Sequence, residues 1–155
     1  MPVTVHCDVA CTAPVPPDSE LQHWIRTVLR DAGEDDAELT IRMVEQDEMV
    51  TLNQDYRGRT GTTNVLSFPA ERPPQVESDY LGDIVIDAAR VASEARDQGK
   101  PERAHWAHLV VHGVLHLLGF RHDDPTEAEH MERREREILA EFGYADPYAL
   151  SLIHI

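Results

Sequence analysis

The sequence predicts an α+β fold: one domain, with a small mixed β-sheet flanked by helices and a three-histidine metal site at the end of a central helix. Three observations predict it. The chain has 155 residues, the length of one compact domain. Segments alternating apolar and polar residues interleave with segments of helical spacing, in the order β-α-β-α-β-β-α-α-α. Three histidines surround a glycine where the most apolar helical segment ends.

The elements follow in order. Residues 3–9 alternate, with Val3, Val5, Cys7 and Val9 on one side, as a half-buried strand does. Pro14, Pro16 and Pro17 break that strand, and Asp18 or Ser19 is expected to cap a helix carrying Leu21, Trp24, Ile25, Val28 and Leu29. The acidic stretch 31–38 reads as a solvated loop. A strand at 39–44 comes next, then a short helix capped by Asp47 through Met49, Leu52 and Tyr56. Gly58 and Gly61 mark a loop. Residues 64–68 read as a strand stopped by Pro69, and 81–87 as another, rich in Ile and Val. Helices are expected at 88–98, 102–118 and 126–142, the last capped by Thr126 and stopped by Gly143. The domain is taken as 1–149, with 150–155 as a flexible apolar tail.

Composition narrows the class. The chain is 41% hydrophobic, enough for a core and too much for a disordered segment. No apolar run approaches the ~20 residues of a membrane span, and MPVTVHCDVA lacks the pattern of a signal peptide. Cys7 and Cys11 are too few for a disulfide framework. A cytoplasmic protein without a membrane partner is expected. Fourteen basic against 29 acidic residues give a formal net charge of −15. That argues against general nucleic-acid binding, though not against a local basic patch.

Such chemistry as the chain carries lies mainly in His112-Gly113-Val114-Leu115-His116-Leu117-Leu118-Gly119-Phe120-Arg121-His122. Four residues along a helix amount to ~40° of rotation and ~6 Å of rise, so His112 and His116 leave one face. Gly119 lets the helix end and the chain turn back, bringing His122 to the pair. Three neutral imidazoles leave a fourth position for water, which marks a catalytic rather than a structural site. Zinc suits them best, with nickel, copper or another divalent ion as alternatives. The spacing matches that of metzincin proteases, in which a Glu after the first His is the general base. Gly113 stands there instead, which counts against peptide hydrolysis. His105 and His108 share the helix face; His105 is read as solvated and His108 as a packing residue, because four histidines in a row span ~16 Å.

Residues 56–70 hold Arg57 and Arg59 and no acid, a basic island in an acidic chain. An Arg fork beside a metal grips phosphate oxygens and stabilises developing charge; the alternative is two surface arginines on a loop. Asn64 and Ser67 belong to the same stretch. Asp83, an acid in an apolar strand, needs a partner if buried, and a metal-site imidazole or Arg57 would serve. Asp123 and Asp124 either orient His122 or open the loop before Pro125.

These residues carry a resemblance. Tyr56-Arg57-Gly58, Thr63-Asn64-Val65-Leu66-Ser67-Phe68-Pro69, Leu81-Gly82-Asp83-Ile84 and the three-histidine block together resemble the bacterial YbeY family of ribosomal RNA maturation factors. The resemblance runs from about Leu52 to His122. It implies an α+β fold and a metal-dependent, single-strand-specific endoribonuclease that matures the 3′ end of 16S rRNA and acts in ribosome quality control. It implies zinc held by His112, His116 and His122, with Arg57 as the functional arginine. It also implies the small ribosomal subunit and assembly factors, a GTPase among them, as partners. Arg59, Asn64 and Ser67 are expected to bind substrate, and Asp83 and Asp123 to support the metal ligands. Many relatives have Asp where Asn64 stands. Three rival classes remain at this point: a non-catalytic ribosome-assembly factor with a structural metal, a small-molecule metal hydrolase and a metallopeptidase.

Overall fold

The computed structural model describes residues 3–58, 61, 63–71 and 78–149. The expected tail 150–155 and Arg59 lie outside them. Among the described residues nine elements follow the predicted order: β1 (Val3–Ala10), α1 (Asp18–Asp31), β2 (Ala37–Val44), α2 (Gln46–Arg57), β3 (Val65–Pro69), β4 (Tyr80–Asp87), α3 (Ala88–Gln98), α4 (Glu102–Leu117) and α5 (Pro125–Glu141). The sheet is mixed, in the order β1-β2-β4-β3. β1, β2 and β4 run parallel, and the edge strand β3 runs antiparallel to β4.

Period-two patterning sorts the sheet residues between two cores. Val5, Leu39, Ile41, Met43, Val65, Ile84 and Ile86 face the larger one, formed with α1, α4 and α5. Val44, Leu66 and Val85 face a smaller one under Met49 of α2, with Leu52 and Phe68 packed on it. α4 is buried on nearly every side, from Trp106 through Leu115. It can be, because its only polar residues there are histidines that find partners inside. No described helix is long and apolar enough to cross a membrane.

Three helix starts differ from expectation. α1 begins at Asp18 with Pro17 in the cap position, and the Glu20 and Leu21 amides bond the Pro17 carbonyl. Proline's fixed φ already leads into the helix, so Asp18 falls into the first turn, where the helix dipole favours a carboxylate. In α2 the cap position is Glu45, whose Oε1 instead accepts the Thr12 amide at 2.7 Å. In α5 Asp124 is the cap, accepting the Glu127 amide at 2.8 Å, with Pro125 next. Thr126 therefore lies inside the helix, and Asp124 opens it rather than serving the metal site. The acidic loop is shorter than expected, because α1 keeps Asp31 while Ala37 and Glu38 join β2.

Pro69 closes β3 on the sheet's edge, opposite Gly82. Gly82 has φ +140, and a Cβ there would lie 2.2 Å from the Phe68 carbonyl oxygen, so no other residue fits. Cys7 packs against the main core as expected; burial, then Asp18, pushes its thiol up to about 12.

Candidate metal centre

α4 delivers His112 and His116 from its last turns. Gly119, at φ +101, ends the helix, and the Phe120 amide bonds back to the Leu115 carbonyl at 3.0 Å. That reversal brings His122 alongside. Ring centroids are 4.6 Å apart for His112 and His116, 4.8 Å for His116 and His122, and 5.4 Å for His112 and His122. One donor atom from each lies within 4.8 Å of the others, and this is the one such cluster among the described residues. His112 is buried, His116 half-buried and His122 exposed, so the cluster opens to solvent on one side.

The opening is a cleft of about 610 Å³ lined by Arg57, Thr63, Asn64, Val65, Leu66, Ser67, the three histidines and Asp123. Arg57 comes from the last turn of α2 and the 63–67 segment from the entry and first half of β3. Because β3 is an edge strand, its outer side forms a wall of the cleft.

A family model described as Endoribonuclease YbeY matches residues 11–143. The chain belongs to the endoribonuclease YbeY family. An endoribonuclease YbeY of Halorhodospira halophila is 52% identical over 139 residues, covering 88% of this chain and 90% of the relative. One of Alkalilimnicola ehrlichii is 53% identical over 145 residues, covering 92% and 87%. The solution structure of TM1509 from Thermotoga maritima, at 24% identity, shares the fold with a TM-score of 0.56 over 90% of this chain and 91% of that one.

The deepest support of the site in this YbeY-family chain is a residue that sequence reasoning missed. Glu135 of α5 is fully buried. Its Oε1 accepts His112 Nδ1–H at 2.6 Å, and its Oε2 accepts the Tyr148 hydroxyl at 2.5 Å, with His108 Nε2 at 3.3 Å. Burial alone would raise this carboxyl, but the bonds from His108 and His112 outweigh it and hold it below the usual carboxylate range. The Nδ1 bond fixes the His112 tautomer and leaves Nε2 as its metal donor. The signal was present: Glu135 interrupts the stripe Met131, Ile138, Leu139 on the apolar face of α5.

His108 is the packing histidine expected. His105 is not solvated: it is buried, and its Nε2 donates to Glu94 Oε1 at 2.9 Å. The same oxygen accepts Asn64 Nδ2 at 3.1 Å, which orients that amide at the rim of the cleft. Burial would raise Glu94, but bonds from His105 and Asn64 bring it below its ordinary value. Ser67 Oγ donates to the Gly113 carbonyl at 3.1 Å, tying β3 to α4. Ser67→Ala is expected to lose about 1 kcal/mol, the net worth of such a bond, read as a lowered melting temperature.

Asp83 does not serve the metal ligands. It lies on the sheet face opposite α4, paired with Phe68, and takes the Tyr80 hydroxyl on Oδ1. Alternation along β4 decides this: Gly82, Ile84 and Ile86 turn toward α4, so Asp83 turns away. Asp123 does line the cleft beside His122.

Burial, then His112 and His122, lowers His116 from 6.5 to about 4. Burial, then His112, also lowers His122, against the pull of Asp123, and burial lowers His108. Between pH 6.5 and about 4 these histidines therefore bind more protons in the unfolded chain than in the metal-free folded one, and their contribution makes folding stability fall as the pH is lowered through that window. Urea titrations of the metal-free chain from pH 7 to 4.5 are expected to show a falling midpoint; a flat profile would contradict the lowered imidazoles.

Proposed function

We propose that this chain is a metal-dependent endoribonuclease specific for single strands. Its ion is zinc, and its substrate is the 3′ region of 16S rRNA. The reading extends to ribosome quality control in the cytoplasm, with the small ribosomal subunit and assembly factors as partners. One observation carries it: Arg57 shares an open cleft with three histidine donors.

The donor set fits a zinc ion, since three imidazole nitrogens converge and one has its tautomer fixed by a buried carboxylate. His112, His116 and His122 would hold it. Bound there, the ion supplies activation of water and polarisation of a phosphoryl oxygen. The chain's own residues do the rest. Arg57 offers a planar fork to the non-bridging oxygens of the scissile phosphate and stabilises the charge that builds there. Asn64, its Nδ2 committed to Glu94, contacts the substrate strand, as does Arg59. Ser67 keeps β3, which forms a wall of the cleft, against α4. Asp123 is the one carboxylate lining the cleft among the described residues, and it takes the proton that a glutamate after the first histidine would take in a metzincin.

The test is cleavage of a labelled single-stranded RNA from the 16S 3′ region. It compares the protein as isolated, after chelation, after reloading with zinc, and as His116→Ala. Cleavage is expected to vanish on chelation and in His116→Ala, and to return with zinc. Equal cleavage by all samples would refute the proposal.

A further inference from the structure

A groove on the other side of β3 has the makings of a nucleobase subsite. Tyr56 is 68% exposed; only Val9 joins it among exposed large apolar side chains of the described residues. Its ring is nonetheless held, edge against Phe68, with centroids 4.9 Å apart. It overlooks a groove of about 440 Å³ floored by Leu52 and Val85, with Thr40 and Asp83 among its polar lining. Asp83 is fixed there: Tyr80 donates to its Oδ1, and the Tyr80 hydroxyl lies 2.8 Å from Thr40 Oγ1. Its other oxygen has no protein partner among the described residues.

Tyr56 and Arg57 are consecutive in the last turn of α2, so their side chains diverge by ~100°. Arg57 enters the metal cleft and Tyr56 the groove, while β3 separates the two, with Ser67 lining the cleft and Phe68 the groove. A strand whose phosphate meets Arg57 thus has a held aromatic face one residue away. The charge balance points the same way. With a net charge of −15, the chain is poorly suited to holding RNA through phosphates alone. Stacking and a carboxylate acceptor are contacts that an acidic protein can make.

Resting on the endoribonuclease reading above, we infer that this groove binds a base of the substrate strand next to the scissile phosphate. Tyr56 stacks on the base, and Asp83 accepts a hydrogen bond from its exocyclic amino group. Adenine, cytosine and guanine carry such a group and uracil does not.

The test is single-turnover cleavage of single-stranded RNA by the zinc-loaded protein, as wild type, Tyr56→Phe, Tyr56→Ala and Asp83→Asn. Loss of one stacked base is expected to raise the half-saturating RNA concentration of Tyr56→Ala about ten-fold. Its maximal rate and melting temperature should stay near wild type, and Tyr56→Phe should behave as wild type. An RNA with a single abasic nucleotide walked along the strand should lose the same factor at one position in wild type, with no further loss in Tyr56→Ala. Uracil at that position should weaken wild type and not Asp83→Asn. Wild-type cleavage with Tyr56→Ala indistinguishable from it would overturn the subsite alone. Cleavage indifferent to the base in both wild type and Asp83→Asn would remove Asp83 from it. No cleavage by zinc-loaded wild type would overturn the endoribonuclease reading and the subsite with it.

Discussion

Glu135→Gln is expected to lower zinc affinity 10- to 100-fold, the usual cost of losing the partner that orients a metal-binding histidine. The buried carboxylate takes His112 Nδ1–H on one oxygen and the Tyr148 hydroxyl on the other, with His108 at its edge. An amide offers one acceptor oxygen where two are used, and its NH₂ cannot accept the proton that His112 Nδ1 or the Tyr148 hydroxyl donates. Either His112 or the Tyr148 side loses its acceptor inside the core. His112 then no longer keeps its proton on Nδ1, and its metal-donor nitrogen is no longer held ready. Stability of the metal-free variant should fall by about 3 kcal/mol, as when one partner of a buried charged network is removed. Competition against a chromogenic chelator measures the first effect and urea unfolding the second. Tyr148→Phe removes one donor and keeps the carboxylate, so it should shift both readings the same way by less. Unchanged zinc affinity in Glu135→Gln would show that His112 is positioned by α4 alone.

Gly113→Glu restores the carboxylate that follows the first histidine in metzincin proteases, and it is expected to yield no peptidase. A Cβ at Gly113 would sit 2.9 Å from Ile84 Cγ2 and 3.3 Å from its Cδ1. α4 lies this close to β4 because residue 113 has no side chain. Gly113→Ala already forces Ile84 to move, an overpacking cost of about 1–3 kcal/mol, partly offset by the better helix propensity of alanine, up to about 1 kcal/mol. Gly113→Glu adds a charged head between sheet and helix with no partner there, and several kcal/mol more. The alanine variant should fold with a lowered melting temperature, and the glutamate variant should fail to give a cooperative unfolding transition. A stable Gly113→Glu protein would mean that the helix can back away from the sheet. The same contact separates the peptidase reading from the nuclease reading: the glycine is part of the packing, so the base must come from elsewhere in the cleft.

The centre of the site was legible because its information is local. The spacing of His112, His116 and His122 with Gly119 between the last two is a short-range pattern, and a helix end turns it directly into convergence. Arg57 was legible as part of a basic island, and the strands and helices followed from periodicity. His105 and Glu135 were misread because each depends on a partner on another helix. His105 looked solvated because its acceptor, Glu94, lies on another helix. Glu135 went unnoticed because its role exists only once α5 packs on α4, although an acid within an apolar stripe was visible. Asp83 reads as a support for the metal ligands only while its side of the sheet is left open; alternation relative to Ile84 and Ile86 turns it away. The caps at α1 and α5 were misplaced by one or two residues because the adjoining prolines fix where each helix begins.

The most direct test of the central claim is RNA cleavage by Arg57→Ala with its zinc content measured in the same preparation. Arg57 is exposed at the end of α2 and is not one of the three histidine donors, so the variant is expected to fold and bind zinc as wild type does. The account predicts one zinc per chain and a cleavage rate lowered about 10²- to 10³-fold, the cost of losing a charge-stabilising donor in the transition state. Cleavage at the wild-type rate with zinc fully bound would contradict it.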